Sequence, residues 1–174
     1  MMILLTGGSG CGKSSYAESL CLRLPLPRYY VAAMEPYGDG SQAKIARHRQ
    51  MRQGKGFETL ERYRDVGHLT QPSRGTTLLE CICNLTANEM FDETGAITDP
   101  YHRVMEGVAA LRRQSDHLIV ITNDVGSDQE DYDPATREYI RVMGRINREL
   151  ARQADCVCEL VCGIPLVLKG ALPE

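Results

Sequence analysis

The stretch Gly7-Gly8-Ser9-Gly10-Cys11-Gly12-Lys13-Ser14 decides the fold of this chain. It fits the pattern G-x-x-x-x-G-K-[ST], a loop whose backbone N–H groups surround phosphate oxygens. The pattern needs glycines because Cβ atoms would obstruct the inward-turned backbone. In such a loop Lys13 brings a fixed positive charge to the β- and γ-phosphates of a nucleotide, and the hydroxyl of Ser14 can bind Mg²⁺.

The residues on either side supply the structural context that the loop requires. Before it, the apolar run 2–6 is suited to a buried parallel strand. After it, apolar residues recur at helical spacing over 14–24. This order places the N-terminus of a helix against the phosphates. A glycine-rich turn that only connects two elements is the alternative, but the full motif and its context together favour phosphate binding.

Composition narrows the class of protein. A length of 174 residues predicts a single domain over 1–174 that can bury a substantial core. The net charge of −3 gives no sign of affinity for nucleic acid or for a membrane surface. The first residues lead straight into a strand without a basic leader, and no apolar stretch is long enough to span a bilayer. We therefore expect a cytoplasmic protein.

The cysteines do not suggest a disulfide framework, because their number is odd and the protein is expected to be cytoplasmic. There are seven of them: Cys11, Cys21, Cys81, Cys83, Cys156, Cys158 and Cys162. Two C-x-C pairs could be imagined as metal ligands, but both lie in apolar runs that are predicted as strands. We expect buried free thiols that pack as small hydrophobic groups, and no zinc.

Strands alternate with helices along the chain. The predicted strands are 2–6, 28–33, 57–60, 76–82, 117–122, 155–162 and, after a turn at 163–165, 166–168. The predicted helices are 14–24, 42–51 with Ser41 as N-cap, 84–91, Pro100 to about 114, and Pro134 to about 154, with a helical turn at 65–69 and a loop at 92–99. Such alternation predicts an α/β fold, a P-loop NTPase-type three-layer sandwich with a mostly parallel sheet and helices on both faces.

The second predicted helix is strongly basic, with Lys44, Arg47, His48, Arg49 and Arg52. A solvated helix face is the ordinary reading of such a pattern. Here the helix follows the second strand of a phosphate-binding fold, where cations would stabilise phosphate charge and keep a histidine neutral and nucleophilic. These arguments allow phosphate binding but do not single out His48 as a nucleophile.

An ordered set of motifs over nearly the whole chain resembles the bifunctional adenosylcobinamide kinase/adenosylcobinamide-phosphate guanylyltransferases of cobalamin biosynthesis. The family's R-I-x-x-H-R-x-x-R pattern corresponds to residues 44–52. The other matching positions are 3–8, 30–32, 57–61, 78–81 with Asn88, 122–126, 144–147 and 163–165. The loop alone is unspecific among nucleotide enzymes, but the ordered set is much more specific.

The resemblance implies two reactions. One phosphorylates the hydroxyl of the aminopropanol arm of adenosylcobinamide with a nucleoside triphosphate, ATP or GTP, in the presence of Mg²⁺. The other transfers GMP from GTP to that phosphate, through a covalent intermediate on the residue that corresponds to His48. It also places the guanine nucleotide or its metal near Glu61 and Glu80, with Arg49 and Arg52 holding the triphosphate, and it implies a homo-oligomer.

Several positions depart from the family pattern. Residues 127–133 replace an apolar segment, Val142 replaces an acidic residue, Phe57 stands in place of a tryptophan, and Cys83 stands in place of a threonine. The alternatives to the bifunctional enzyme are therefore a P-loop kinase for another small alcohol, in which His48 only binds phosphate, and a nucleotide-binding regulatory protein without catalysis.

Overall fold

The computed structural model describes residues 1–36, 38–91, 97–126 and 130–173, without the side chains of 38–41 and 44. The strands are β1 (Met2–Thr6), β2 (Arg28–Ala32), β3 (Phe57–Glu61), β4 (Thr76–Leu79), β5 (His117–Ile121), β6 (Cys156–Val161) and β7 (Ile164–Lys169). The helices are α1 (Lys13–Leu22), α2 (Gly38–Arg52), α3 (Ile82–Met90), α4 (Tyr101–Gln114) and α5 (Pro134–Gln153), with a 3₁₀ turn at Val66–His68. The predicted loop 92–99 lies mostly outside the described residues.

All seven strands belong to one sheet, in the order β3-β2-β4-β5-β1-β6-β7. The first six run parallel, and β7 pairs antiparallel with β6 at one edge. β1 lies between β5 and β6, so that Ile3 is opposite Ile119 on one side and Cys156 on the other. Ligand sites of parallel sheets form at the carboxyl ends of the strands, and the glycine loop leaves β1 at that edge.

The core has two halves, one on each face of the sheet. Met2 and Leu4 of β1 pack in the half that also contains α3, α4 and α5. Ile3 and Leu5 pack in the half that contains α1. Successive side chains of a strand point to opposite faces, so the uninterrupted apolar run of β1 is the expected signature of a strand covered on both sides. The α/β prediction with helices on both faces is confirmed.

Two predicted helix starts are confirmed. Pro100 directly precedes α4, and Pro134 opens α5. Proline suits the first turn because its missing N–H would have no helical partner there. At α5 the carboxylate of Asp133 also accepts from the backbone N–H groups of Ala135 and Thr136, at 2.9 and 3.1 Å.

Four local predictions were wrong. Helix α2 begins at Gly38, so Ser41 lies inside the helix and is not its N-cap. Strand β4 ends at Leu79, because Ile82 already opens α3. Cys81 and Cys83 therefore lie at a strand-to-helix junction rather than in a strand. The last turn is also shorter than predicted, because β7 begins at Ile164 directly after Cys162 and Gly163.

The cysteines that the prediction expected to be buried are only partly so. Cys21, Cys83, Cys156 and Cys158 are buried free thiols, whereas Cys11 and Cys81 are half-buried and Cys162 is exposed. Among the described residues, no helix combines the length and the apolar character needed to cross a membrane.

Candidate active site

The phosphate loop joins β1 to α1, and its backbone geometry explains its glycines. Gly7, Gly10 and Gly12 have positive φ angles of 137°, 74° and 98°, a region that residues with a Cβ rarely adopt. At Gly7 a Cβ would also lie 2.6 Å from the carbonyl oxygen of Leu160 in β6. The loop therefore needs glycine both for its conformation and for its close contact with β6.

The turn between β6 and β7 supports the same loop from the side. The backbone N–H of Gly163 donates to the carbonyl oxygen of Cys11 at 2.9 Å. A Cβ on Gly12 would lie 3.5 Å from the Cα of Gly163, which is ordinary contact distance. A hairpin far along the chain thus fixes the middle of the phosphate loop.

Lys13 and Ser14 open helix α1 and face a cleft of about 640 Å³. Lys13 is only 6% exposed, and its Nζ donates to the carbonyl oxygens of Gly7 and Gly8 at 2.9 and 2.6 Å. These contacts hold the ammonium group at the loop, where the motif requires it. Ser14 lines the cleft beside it and has no hydrogen-bond partner for its hydroxyl among the described residues.

The phosphate loop and helix α2 line the same cleft. The loop and α1 contribute residues 9, 10 and 12–15. Helix α2 contributes Arg47, His48 and Met51, and the other lining residues are Met34, Glu80, Cys81, Asn84, Ile121 and Asn123. The sequence alone did not place His48 relative to the loop; the structure brings both to one cleft.

His48 contacts a buried carboxylate. Its Nδ1 lies 3.1 Å from Oε1 of Glu80 and 3.2 Å from the hydroxyl of Tyr30. The other carboxylate oxygen of Glu80 accepts from the backbone N–H of Ala33 at 3.2 Å. Only 13% of the His48 side chain and 5% of the Glu80 side chain are exposed. The sequence had suggested cations around the imidazole, but the partners of Nδ1 among the described residues are a carboxylate and a tyrosine hydroxyl.

This contact orients the imidazole. Burial alone would raise the pKa of Glu80, but hydrogen bonds from His48 and Tyr30 outweigh burial and hold that pKa below its ordinary value. An ionised carboxylate can only accept, so the Nδ1 N–H of His48 donates to it, and in the neutral tautomer the lone pair is on Nε2. The arrangement thus selects Nε2 as the nitrogen that can act as a nucleophile.

Arg49 and Glu61 do not line this cleft. They line a second cavity of about 580 Å³ between the end of α2 and β3, together with Arg52, Phe57 and Thr59. Arg49 pairs with Oε1 of Glu61, whose Oε2 accepts from the hydroxyl of Tyr63 at 3.0 Å. The hydrogen bonds from Arg49 and then Tyr63 lower the pKa of Glu61.

Arg52 lines the second cavity and packs against Tyr30. It is only 7% exposed, and its guanidinium Cζ lies 3.4 Å from the centroid of the Tyr30 ring. Such a stacked guanidinium is attracted by the electron-rich ring face. Its Nε and Nη1 atoms are buried without a hydrogen-bond partner among the described residues. Arg52 therefore packs behind the residue that contacts His48.

Two asparagines that match the family pattern hydrogen-bond to backbone carbonyl oxygens of neighbouring segments. Asn88 donates from Nδ2 to the carbonyl oxygens of Ala33 and Tyr63, at 2.8 and 2.9 Å. Asn147 donates to the carbonyl oxygen of Asn123 at 3.2 Å, and its Oδ1 accepts from the hydroxyl of Thr122 at 2.7 Å.

The departure from the family at 127–133 lies partly outside the described residues, at 127–129.

A divalent metal fits the P-loop side of the cleft. The described residues contain no group of three or more histidine, cysteine or acidic side chains that could hold a metal by themselves. Mg²⁺ in nucleotide sites needs only one or two protein oxygens beside the phosphates and water. The unpartnered hydroxyl of Ser14 in the cleft suits that requirement.

Sequence reasoning gave three side chains of the site no individual role. Tyr30 was only part of a matched motif, Arg47 was named only among the cations of the basic helix, and Asn84 was not assigned to the site. A buried tyrosine on a strand and an asparagine in a helix carry no sequence signal of their own. Their importance depends on contacts with distant parts of the chain.

The loop, the parallel sheet and the shared cleft define a P-loop nucleotide-binding protein. A solved structure described as the ATPase domain of G40P has the same fold, with a TM-score of 0.55 over 97% of this chain and 76% of that one, at 9% identity. This likeness shows the fold alone.

The sequence comparison identifies the family. Residues 3–168 match the family described as cobinamide kinase / cobinamide phosphate guanyltransferase, and the chain belongs to it. It is 31% identical to the bifunctional adenosylcobalamin biosynthesis protein CobU of Escherichia coli K12, over 97% of this chain and all of that protein. The namesake of Salmonella typhimurium LT2 gives the same values. The protein CobP of Pseudomonas aeruginosa is 26% identical over 98% of both chains. The chain is thus a transferase of cobalamin biosynthesis with a P-loop fold.

Proposed function

We propose that this chain phosphorylates adenosylcobinamide and then transfers GMP from GTP to the resulting phosphate, with His48 as the covalent carrier. The observation that carries the proposal is the contact between Nδ1 of His48 and the buried carboxylate of Glu80, in a cleft shared with the phosphate loop. A solvated basic helix would not hold a histidine in this way.

The transfer uses Nε2 of His48 as nucleophile. Its lone pair attacks the α-phosphorus of GTP, a P–N bond forms, and the P–O bond to pyrophosphate breaks. The imidazole gains positive charge as the bond forms, and the carboxylate of Glu80 balances that charge. A phosphate oxygen of the acceptor then attacks the same phosphorus, and the P–N bond breaks. Splitting one transfer into two steps is the general advantage of covalent catalysis.

The phosphate loop serves the terminal phosphates in both reactions. Lys13 brings its charge to the β- and γ-phosphates, and the backbone N–H groups of residues 7–12 donate hydrogen bonds to phosphate oxygens. Mg²⁺, held by Ser14 and phosphate oxygens, would neutralise charge on the triphosphate. A role of Glu80 toward the metal or the guanine stays a prediction, because the described contacts of its oxygens are with His48, Tyr30 and the backbone of residues 33 and 34. ATP and GTP both remain candidates for the kinase step.

The second cavity suits the rest of the nucleotide. The carboxylate of Glu61 can accept from guanine N–H groups, and Arg49 and Arg52 can contact phosphate at the boundary with the main cleft. These roles are proposals that rest on the family resemblance and on the position of the three side chains along one cavity.

We also propose a homo-oligomer. The edge strand β7 is exposed along its whole length, and Ile164, Leu166, Val167 and Leu168 are between 45% and 62% exposed. Contiguous apolar surface of this kind marks interaction sites. The cytoplasmic location stays a prediction from the sequence.

The test is incubation with GTP labelled at the α-phosphate, with Mg²⁺, followed by separation of the protein. We expect label on the wild type that survives alkali and is lost in acid, as for a P–N bond. His48→Ala should carry none. His68→Ala is the matched control, because His68 is exposed and its Nδ1 contacts Asp65 at 2.8 Å, away from the cleft.

Each other outcome has a definite reading. Full labelling of His48→Ala would refute the covalent role. Loss of label in both variants would point to misfolding, which circular dichroism would reveal. Nucleotide binding without any labelling of the wild type would favour a kinase for another small alcohol or a non-catalytic binding protein.

A further inference from the structure

The three arginines that flank His48 on α2 have different surroundings. Arg49 is paired with Glu61, and Arg52 is buried against the ring of Tyr30. Arg47 is exposed and has no ion-pair or hydrogen-bond partner for its side chain among the described residues. It lines the same cleft as Lys13 and His48, whereas the other two line the second cavity. The unpaired positive charge that α2 brings to this cleft therefore belongs to Arg47.

A second free donor faces the same space from another helix. Asn84 lies in the first turn of α3 and lines the floor of the cleft. Its side-chain amide carries two N–H donors, and within the described ranges no group pairs with it. The cleft is also lined by Met34, Met51 and Ile121, which are apolar, by Cys81 and Asn123, and by Glu80, whose oxygens are in contact with His48 and Ala33.

Arg47 and Asn84 thus offer N–H donors and a positive charge to a ligand in the cleft that the phosphate loop also lines. Guanidinium groups bind phosphate through two parallel hydrogen bonds, and an amide can add a third. We infer that Arg47 and Asn84 form a second phosphate-binding subsite, which serves the phosphate that reacts at His48. The inference rests on the proposed function, in that the reacting phosphate is the one transferred through this histidine.

The position of Arg47 suits that role. The lysine of a P-loop reaches the β- and γ-phosphates, so the charge of Lys13 is not directed to the phosphate that reacts at His48. Arg47 precedes His48 directly, and one helix therefore brings the nucleophile and a cation to the same cleft. The family pattern over residues 44–52 leaves this position open, which is why the pattern alone gave no signal.

Two phosphate groups could occupy the subsite, namely the α-phosphate of GTP or the phosphate of the corrinoid acceptor. The experiment uses Arg47→Ala, Asn84→Ala and, as the matched control, Arg148→Ala. Arg148 is exposed on α5 and also has no partner among the described residues. Calorimetry measures the affinity of each for GTP and, separately, for adenosylcobinamide phosphate. Rapid-quench kinetics measure how fast the protein is labelled by GTP and how fast the label is discharged by that acceptor.

GTP affinity and labelling rate form one pair of values, and acceptor affinity and discharge rate form the other. We expect Arg47→Ala to lower both values of one pair by about 10- to 100-fold, as for the loss of a charge-assisted hydrogen bond. Asn84→Ala should lower the same pair by about 2- to 10-fold. Arg47→Lys should recover part of the loss. Weaker GTP binding and slower labelling would assign the subsite to the α-phosphate. Weaker acceptor binding and slower discharge would assign it to the acceptor.

The inference is overturned if Arg47→Ala and Asn84→Ala keep both affinities and both rates within about twofold of Arg148→Ala. A wild type that binds both ligands but acquires no label would refute the proposed function alone, and the two affinities would still decide the subsite.

Discussion

The two walls of the main cleft are built in different ways. The wall formed by the phosphate loop, residues 7–14, consists of consecutive residues whose backbone angles depend on their glycines, with support from Gly163 in the turn between β6 and β7. The wall formed by α2 depends on side-chain contacts with β2 and with the end of β4, because Tyr30 and Glu80 hold His48. The residues of the first, local wall can be recognised in one short stretch of sequence, whereas those of the second, non-local wall come together only in the folded sheet.

The comparison predicts the largest effect at Lys13. Lys13→Ala removes the charge that meets the terminal phosphates, and we expect both activities to fall by about 10³-fold or more. Lys169→Ala is the control, because Lys169 binds carbonyl oxygens at the end of α5 away from the cleft. Turnover assays with circular dichroism separate catalysis from folding. Near-normal turnover of Lys13→Ala would show that the local wall does not bind the terminal phosphates through this lysine.

Glu80→Gln tests the non-local wall. The substitution keeps the size of the side chain but removes the charge that balances the reacting imidazole. We expect labelling by GTP to slow by about 10- to 100-fold, the range for a hydrogen bond to a charged group. Glu89→Gln is the matched control, because Glu89 is a buried carboxylate paired with Arg103 outside the cleft. Equal labelling rates in both variants would show that the Glu80 contact does not serve catalysis.

A pair of neighbouring tyrosines sharpens the same point. Tyr30→Phe removes the hydroxyl beside His48 but keeps the ring under Arg52, and we expect labelling to slow by about 2- to 10-fold. Tyr29→Phe removes a hydroxyl that lies 3.0 Å from that of Ser73. Successive residues of β2 point to opposite faces, so Tyr29→Phe should label at the wild-type rate. Slower labelling of Tyr29→Phe than of Tyr30→Phe would contradict a role of the Tyr30 hydroxyl at His48.

The smallest effect is expected at Glu61. Its pKa is lower in the folded protein than in the unfolded chain, so its contribution to stability is present above the unfolded value and is lost as pH falls through the folded one. Its side chain is 43% exposed, so Glu61→Gln should lower the free energy of unfolding by no more than about 1 kcal/mol at pH 7.

Urea unfolding at several pH values checks the Glu61 prediction. The difference between wild type and variant should shrink below about pH 4, and it should also shrink in high salt. A difference that grew in acid would contradict the ion pair as its source.

The sequence was sufficient for the local wall and for the sheet. The glycine pattern, the apolar run of β1 and the prolines at the starts of α4 and α5 act through nearby backbone, so their consequences can be read from a few residues. It was not sufficient at Ser41, where a plausible capping residue lies inside α2, or at Cys81 and Cys83, where an apolar run continues from a strand into a helix. Apolar residues alone do not mark such a junction.

The active site shows the same limit more clearly. His48 could be named from the basic helix and the family pattern, but its partners could not, because Tyr30 and Glu80 reach it only after the sheet has formed. The arginines of α2 could be named from the sequence, but the cavity that each of them lines could not be predicted. Which of them faces the phosphate loop depends on how α2 packs, and its sequence is too polar to predict that packing.

The hydrogen bond between Gly163 and Cys11 has a consequence for the synthesis of the protein. Cys11 leaves the ribosome long before Gly163 does, and β1 must also wait for β5 and β6 on either side. The phosphate loop is thus translated early but gains its supports late. A nascent chain that is still growing should bind nucleotide poorly, and the capacity to bind should arise only when the final hairpin has emerged.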